Sequence, residues 1–305
     1  MPESIYAQGA SPSRSSRGHS TAWSQGLFSP ETRSSVSGAN VQAAPQRRPG
    51  EGEYHELPPE TRHRRKKLAL ALDKLGTSLS LMDLMGELDL KSAFSDFEKG
   101  FGAIFTRSTH KVPVVSPLQE GDRLLESDYV RCFLEVIGQQ ASVLAKSKLP
   151  KQYREIPYQI MDTQNTPVYE STLKPDLVFA FNTKHNTTFR DIFLVLEAKK
   201  ESGEDVYLKH IGQLADYALA LRECQPTRTY VPVLFLNGRQ LDLLVFTNSG
   251  YLHANIGPVL FMSDEDKAES RERQFVGQSL CCLWFLLTLP ADRFGLLFDS
   301  PRIPS

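Results

Sequence analysis

The chain has 305 residues, of which 40% are hydrophobic and 23% are charged, so it is long enough to bury a substantial core. Lysine and arginine (35) nearly balance aspartate and glutamate (36), which excludes a histone-like protein coated with basic residues. The four cysteines form no Cys-x-x-Cys pair, which argues against a zinc ribbon or a disulfide framework. Neither a signal peptide nor an apolar run of the ~18–20 residues that a membrane span needs is found, so we expect an intracellular protein, nuclear or cytoplasmic, with no membrane partner.

Three segments of different composition divide the chain. Residues 1–60 are rich in Ser, Pro, Gly and Arg and are predicted to be a disordered tail, because they cannot bury enough apolar surface to offset their chain entropy. Residues 61–119 are predicted to be a helical appendage and linker, since leucines recur at helical spacing but Gly76 and Gly86 interrupt them. Residues 120–305 are predicted to form one α/β domain.

A dense basic run opens the predicted appendage and has two interpretations. It consists of Arg62, Arg64, Arg65, Lys66 and Lys67. One interpretation is a nuclear-localisation signal or a patch that contacts phosphate; the other is the solvated start of a helix beside a flexible tail. We favour the second, because short basic clusters are common.

Helices and strands alternate after residue 120. Helices are predicted over 120–146, 205–223 and 264–289, and strands over 176–181, 192–199, 229–236 and 241–247. Asn237-Gly238 predicts a hairpin between the last two strands, while Ser263 and Pro290 are the predicted cap and stop of the last helix. This order predicts a mixed central sheet with helices on both faces.

Charged residues end a predicted buried strand at Glu197-Ala198-Lys199, 21 residues after Pro175-Asp176. Side chains alternate along a strand, so Glu197 and Lys199 should share one face. If the strand of Asp176 lies alongside, the Asp176 carboxylate can meet Glu197. Two adjacent carboxylates favour a hard cation such as Mg²⁺ or Mn²⁺, and a lysine beside it can orient or deprotonate a water for attack on phosphorus.

This arrangement resembles the PD-(D/E)XK nuclease superfamily, which has the restriction-endonuclease-like fold. The matching residues are Pro175, Asp176, Glu197 and Lys199. The resemblance implies a three-layer α/β core in which helices flank a mixed central sheet. It also implies Mg²⁺-dependent (or Mn²⁺-dependent) hydrolysis of phosphodiester bonds in DNA or RNA, with Asp176 and Glu197 as metal ligands and Lys199 as the catalytic lysine.

Two further motifs are similar to the RecB-like branch of that superfamily. Gln213 and Tyr217 fit its Gln-x-x-x-Tyr motif, share one helical face and would bind a phosphate oxygen or support Lys199. Gly121 and Glu126 fit its Gly-x-x-x-x-Glu motif, and Glu126 projects into the apolar stripe of its helix, where a metal would supply a partner. A simpler interpretation of Gln213 and Tyr217 is the polar fringe of an ordinary helix. A simpler interpretation of Glu126 is a first-turn glutamate that interacts with the helix dipole.

Residues 120–262 also resemble the N-terminal region of fungal-type protein-kinase proteins. The chain has no Gly-x-Gly-x-x-Gly, His-Arg-Asp or Asp-Phe-Gly motif, so the kinase itself is missing. The alternative function is therefore a non-catalytic recognition or regulatory module with a nuclease-like fold and a protein partner, while the oligomeric state stays open.

The charge balance of the predicted catalytic region favours this alternative. Residues 151–262 hold 11 Lys+Arg and 12 Asp+Glu, whereas nucleic-acid binding needs a local basic surface. The basic residues that would have to gather for it are Lys199, Lys200, Lys209, Arg222 and Arg228.

Overall fold

The structure is a computed structural model that describes residues 58–107, 125–181, 186–200, 203, 206–260 and 270–295. Residues 102–107, 270–277, 291 and 294 are described as helix only, without their side chains. The predicted tail up to residue 57, most of the predicted linker, Gly121 and the predicted cap Ser263 lie outside the described residues.

Helices and strands follow one another along the described chain. The α-helices are α1 (Pro59–Leu72), α2 (Leu81–Glu87), α3 (Lys91–Arg107), α4 (Glu126–Leu144), α5 (Val206–Cys224) and α6 (Ser270–Thr288). The strands are β1 (Gly76–Ser78), β2 (Gln159–Asp162), β3 (Leu177–Ala180), β4 (Ile192–Lys199), β5 (Val231–Asn237), β6 (Gln240–Phe246) and β7 (Tyr251–Pro258). Two single turns of 3-10 helix occupy Lys151–Tyr153 and Ala291–Phe294.

The seven strands form one mixed sheet in the order β1-β7-β6-β5-β4-β3-β2. Strands β4 and β5 are parallel, as are β1 and β7, and the other neighbours are antiparallel. Parallel neighbours need a crossover connection, which α5 supplies between β4 and β5. The predicted mixed α/β fold is confirmed.

Helices cover both faces of the sheet, as predicted from the element order. One face packs with α2, α3, α4 and α6 into the main core, where Leu196 and Ala198 of β4 join Trp284 and Phe285 of α6. Helix α5 covers β4, β5 and β6, and α1 packs on α5. Alternation along β4 therefore separates Ala198, in the main core, from Glu197 and Lys199, which face α5.

The segment predicted as an appendage is helical, and it shares the sheet and the core of the α/β domain. Strand β1 pairs with β7 at the edge of the sheet. Leu84 of α2, and Phe94 and Phe97 of α3, belong to the same buried cluster as α6. Residues 84–101 thus contribute to one hydrophobic core with the later elements, and residues 76–78 to their sheet.

Strands β1, β2 and β7 were not predicted, and the hairpin is shifted by one residue. Asn237 is the last residue of β5 and pairs with Gln240, so Gly238 and Arg239 form the turn, with φ +58° at Gly238. The Asn237 side chain instead donates to the carbonyl oxygen of Gly203 (2.7 Å) and accepts from its N–H (3.2 Å).

No helix in the described ranges is long and apolar enough to cross a membrane.

The close approach of α1 to α5 gives a stability prediction for Gly212→Ala. A Cβ atom at residue 212 would lie 2.1 Å from the backbone oxygen of Arg65, so α1 would have to shift. We expect the free energy of unfolding, measured with urea, to fall by about 1–3 kcal/mol. The matched control is Gly138→Ala in α4, where a Cβ meets nothing within 4 Å and helix propensity should raise stability by about 0.5–1 kcal/mol. Equal stability of Gly212→Ala and the wild type would contradict this packing.

Candidate active site

A buried carboxylate, Glu197, stands near the end of β4. The strand before it is fully buried, and Glu197 itself is 2% exposed. A charge in such a position requires partners, because an unpaired buried carboxylate is far costlier than an exposed one.

Three side chains satisfy Glu197. Its Oε1 accepts from Lys199 Nζ (2.7 Å) and from Gln213 Nε2 (2.6 Å), and its Oε2 accepts from the Tyr217 hydroxyl (2.9 Å). Gln213 also donates to the Tyr217 hydroxyl oxygen (2.8 Å). These two residues of α5 therefore contact Glu197, whereas sequence reasoning expected them to support Lys199 or bind phosphate.

Asp176 lies beside this group, immediately before β3. Leu177 pairs with Leu196 in antiparallel register, which brings the preceding aspartate next to Glu197. Its Oδ2 accepts from the backbone N–H of Ala198 (2.7 Å). Burial, followed by the negative charge of Glu197, raises the pKa of Asp176 to about 8, although the Ala198 N–H and Lys199 oppose the shift.

Lys199 joins two carboxylates from different elements. Its Nζ lies 2.7 Å from Glu197 Oε1 and 3.2 Å from Oε2 of Glu126, the first residue of α4. Burial lowers the pKa of Lys199, but the nearby carboxylates outweigh it, so its pKa lies above the ordinary value. The lysine is therefore an ammonium at neutral pH, and in this arrangement it can orient a water or a phosphate oxygen but cannot accept a proton.

Tyr217 is held as a neutral phenol. Its side chain is fully buried, and this burial, followed by the charge of Glu197, raises the pKa of the phenol well above its usual range. Its hydroxyl also lies 3.1 Å from the backbone oxygen of Lys174. It therefore connects α5 both to β4 and to the segment that carries Asp176.

The carboxylates fit a hard cation by chemistry, but Lys199 already forms ion pairs with two of them. Oxygen donors such as Glu126, Asp176 and Glu197 are the ligands that Mg²⁺ and Mn²⁺ prefer. Among the residues that the structure describes, no three His, Cys, Asp or Glu side chains are placed to share one ion. A divalent ion that used Glu126 and Glu197 would require the Lys199 ammonium to move from between them.

Backbone contacts that the sequence did not indicate support the site. Thr163, just after β2, donates its hydroxyl to the Pro175 carbonyl and its N–H to the Asp176 carbonyl (3.0 Å). Asn237, opposite Lys199 in the parallel register, binds the backbone of Gly203. A threonine or asparagine at a strand end has no periodic signature, so neither role could be read from the sequence.

Asn237 also connects the site to a second buried polar group around Asp242. Its amide lies 3.3 Å from Asp242 Oδ2, while Asp242 Oδ1 contacts His253 Nε2 (3.1 Å) and accepts from Asn255 Nδ2 (2.8 Å). Asp242 is fully buried, and the His253 ring stacks on Tyr207 of α5 at 3.9 Å between centroids. This group joins β5, β6 and β7 beneath the start of α5.

The middle of the Gln-x-x-x-Tyr segment binds helix α1. Asp216 is 2% exposed and its oxygens lie 2.8 Å from Arg64 Nε and 3.2 Å from Arg65 Nε. Two residues of the basic run are therefore ion-pair partners of a buried carboxylate, rather than members of a wholly solvated patch. The sequence did not indicate the role of Asp216, because its partners lie about 150 residues earlier in the chain.

An open cleft of about 620 Å³ lies beside Glu126, between the start of α4 and the residues after β2. Three of its lining residues are acidic, Asp128, Glu135 and Asp162, and one is basic, Arg131. The guanidinium of Arg131 pairs with Asp128 (3.2 Å) and Glu135 (3.9 Å), so the cleft keeps an excess of negative charge.

Arg228 cannot belong to a basic surface, which corrects the expectation from the sequence. It is 3% exposed and donates to the carbonyl oxygens of Phe193 (2.6 Å) and Tyr230 (3.1 Å). Burial lowers its pKa to about 9. Arg228 therefore has a structural role between α5 and the start of β4. Arg222 is also engaged, with the Thr229 carbonyl (3.1 Å) and with Asn248.

The raised pKa of Asp176 predicts a specific dependence of stability on pH. The folded protein keeps this proton up to about pH 8, whereas the unfolded chain loses it near pH 4, so the free energy of unfolding falls as pH rises between these values. Asp176→Asn cannot ionise, and we expect it to remove this loss and to exceed wild-type stability at pH 8–9 by at least about 1 kcal/mol. Urea unfolding from pH 4 to 9 measures this, and an unchanged slope would contradict it.

One family model matches residues 143–228, and its family is described as a domain of unknown function, DUF6826. The match contains Asp176, Glu197, Lys199, Gln213 and Tyr217 and covers less than a third of the chain. No curated protein and no solved structure matches the chain. Over this region the chain is therefore similar to a family whose description names no activity.

Proposed function

We propose that this protein is a metal-dependent nuclease of the PD-(D/E)XK type that hydrolyses phosphodiester bonds in nucleic acid. The observation that carries the proposal is that one lysine and three carboxylates converge from three separate parts of the fold, with an amide and a phenol from a fourth. These residues are Glu126, Asp176, Glu197, Lys199, Gln213 and Tyr217.

The charge of this cluster supports a functional role over a purely structural one. One ammonium is surrounded by three carboxyl groups, so two negative charges are not balanced when all three are ionised. The protein meets this by raising the pKa of Asp176, a perturbation that is typical of sites that bind cations or transfer protons. In a cluster with a purely structural role, we would expect the number of basic groups to match the number of carboxylates.

In this proposal Asp176 and Glu197 hold Mg²⁺ or Mn²⁺, and Glu126 supports the ion. The bound metal would supply positive charge to the phosphate under attack. Gln213 and Tyr217 fix the carboxylate of Glu197 through both of its oxygens, so it is oriented in advance. Lys199 donates hydrogen bonds that orient the attacking water or a phosphate oxygen.

A second candidate is a non-catalytic recognition or regulatory module of the kind found N-terminal to fungal-type protein kinases. The observation that favours it is that Glu197 is already satisfied at both oxygens, while Lys199 bridges Glu197 and Glu126. A polar cluster whose members are partners of one another stabilises the fold without any substrate. In that case the protein would act by binding another protein through its surface, and the cluster around Glu197 would be structural.

The nuclease proposal is tested by cleavage of labelled single- and double-stranded DNA and RNA in the presence of Mg²⁺. We expect Asp176→Ala and Lys199→Ala to lower the rate by about 10²–10⁴-fold, because they remove a ligand and an oriented donor. Glu126→Gln should lower the rate less. Glu135→Gln, on the same helix but paired with Arg131, is the matched control and should cleave like the wild type. Activity that survives both alanine substitutions would refute the proposed site.

Metal binding separates the two candidates independently of cleavage. Because Asp176 must lose its proton to bind a cation, the apparent Mg²⁺ affinity measured by calorimetry should fall by up to about tenfold for each pH unit below about 8. Asp176→Asn should abolish the binding heat. If the wild type shows no such heat and cuts no substrate, the regulatory module is the better account.

A further inference from the structure

The side of helix α1 that faces away from α5 carries several exposed basic side chains. At 100° per residue, five side chains fall within an arc of about 140°. We call this arc the outer face of α1, and it consists of Arg62, His63, Lys66, Lys67 and Leu70, all of them exposed. The opposite side carries the buried residues Leu68 and Leu72.

Contacts to α5 fix which side of α1 faces outward. Arg64 and Arg65, on the inner half of α1, which faces α5, pair with Asp216 of α5. The backbone of Arg65 packs against Gly212 of α5. A rotation of α1 would leave the buried Asp216 carboxylate without its cations. The lysines of the outer face are therefore held outward by the same ion pairs that hold the helix in place.

Helix α1 approaches the candidate site through Arg65, on its inner half. The guanidinium of Arg65 sits over the ring of Tyr217, 5.9 Å from its centroid, and the hydroxyl of Tyr217 contacts Glu197. Tyr217 therefore lies between the inner half of α1 and the proposed metal ligand Glu197. Lys66 and Lys67 follow Arg65 directly in the same helix.

Charge distinguishes the two flanks of the site. The flank formed by α4 contains the acidic cleft, whose excess of carboxylates repels a polyanion. The flank formed by α1 carries the basic run, with Glu60 as its one acidic residue. Residues 62–67 span about 8 Å of helix axis, which corresponds to about two phosphates of one nucleic-acid strand.

We propose that the outer face of α1 binds the phosphodiester backbone of nucleic acid next to the site; the inference rests on the proposed nuclease function and names its substrate-binding surface. It gives a near-neutral chain the local basic footprint that such binding requires. The basic run then has two roles, since Arg64 and Arg65 attach the helix and Lys66 and Lys67 contact phosphate.

Direct binding tests this surface without any cleavage. The full chain, in buffer with EDTA and at several salt concentrations, is titrated against fluorescein-labelled duplex DNA, single-stranded DNA, single-stranded RNA and polyglutamate, and anisotropy is recorded. The separate nucleic-acid arms identify which of them is bound. We expect Lys66→Gln/Lys67→Gln to weaken binding and to reduce the slope of log affinity against log salt by about 1.8 for duplex DNA, or about 0.9 for each lysine that no longer neutralises a phosphate.

The matched control is Lys146→Gln/Lys148→Gln. Both lysines are exposed and follow the C-terminal end of α4, about 28 Å along that helix from Glu126. This variant should bind like the wild type. Because all four lysines are exposed, circular dichroism should report an unchanged fold for both variants.

Each outcome decides the inference. It is overturned if the wild type does not bind nucleic acid, if the two double variants bind alike, or if polyglutamate binds as tightly as nucleic acid, which would indicate an acidic protein partner. Binding that depends on Lys66 and Lys67 without Mg²⁺-dependent cleavage would leave this surface standing and refute the nuclease proposal. Mg²⁺-dependent cleavage together with binding that does not depend on Lys66 and Lys67 would support the nuclease proposal and refute this surface.

Discussion

The burial of the Glu197 carboxylate is the constraint on which the rest of the structure depends. A strand whose preceding residues are all buried carries this charge away from water, so its partners must come from the protein. They come from β4 itself and from α5, the helix that must cross over the sheet to make β4 and β5 parallel neighbours. The crossover helix is thus attached to the sheet by polar contacts as well as by apolar packing.

The same constraint orders the charges around it. Lys199 neutralises Glu197 and reaches Glu126, which leaves Asp176 to share one cation with two other carboxylates. A proton on Asp176 is one way to balance that excess, and a divalent ion is another. The proton stabilises the fold without a ligand, whereas the divalent ion would serve the proposed hydrolysis. The same cluster is therefore compatible with both functional candidates.

Sequence patterns predicted the buried centre of the fold well and its edges poorly. Strands β3 to β6 are apolar runs, and alternation along β4 correctly separates Glu197 and Lys199 from Ala198. Strand β2 is half exposed, so its sequence has no clear apolar period. Strand β7 has none either, because it contains His253 and Asn255, whose partner Asp242 lies on β6. Local patterns cannot reveal polar pairs that only the sheet register creates.

The candidate site follows the same division. Spacing indicated the residues of β4 and α5, because one strand or one helix carries each motif. It did not indicate which carboxylate Gln213 and Tyr217 bind, nor the contacts of Thr163 and Asp216. Those depend on how separate elements meet in space.

The attachment of α1 has a consequence for the order in which the protein is made. Arg64 lies 152 positions before Asp216, and Ser78 of β1 lies 175 positions before His253 of β7. Both α1 and β1 leave the ribosome long before the partners that hold them. These two elements are therefore among the last to reach their native contacts although they are synthesised well before their partners, and such distant contacts slow folding. Until then the apolar and basic side chains of α1 are available to chaperones.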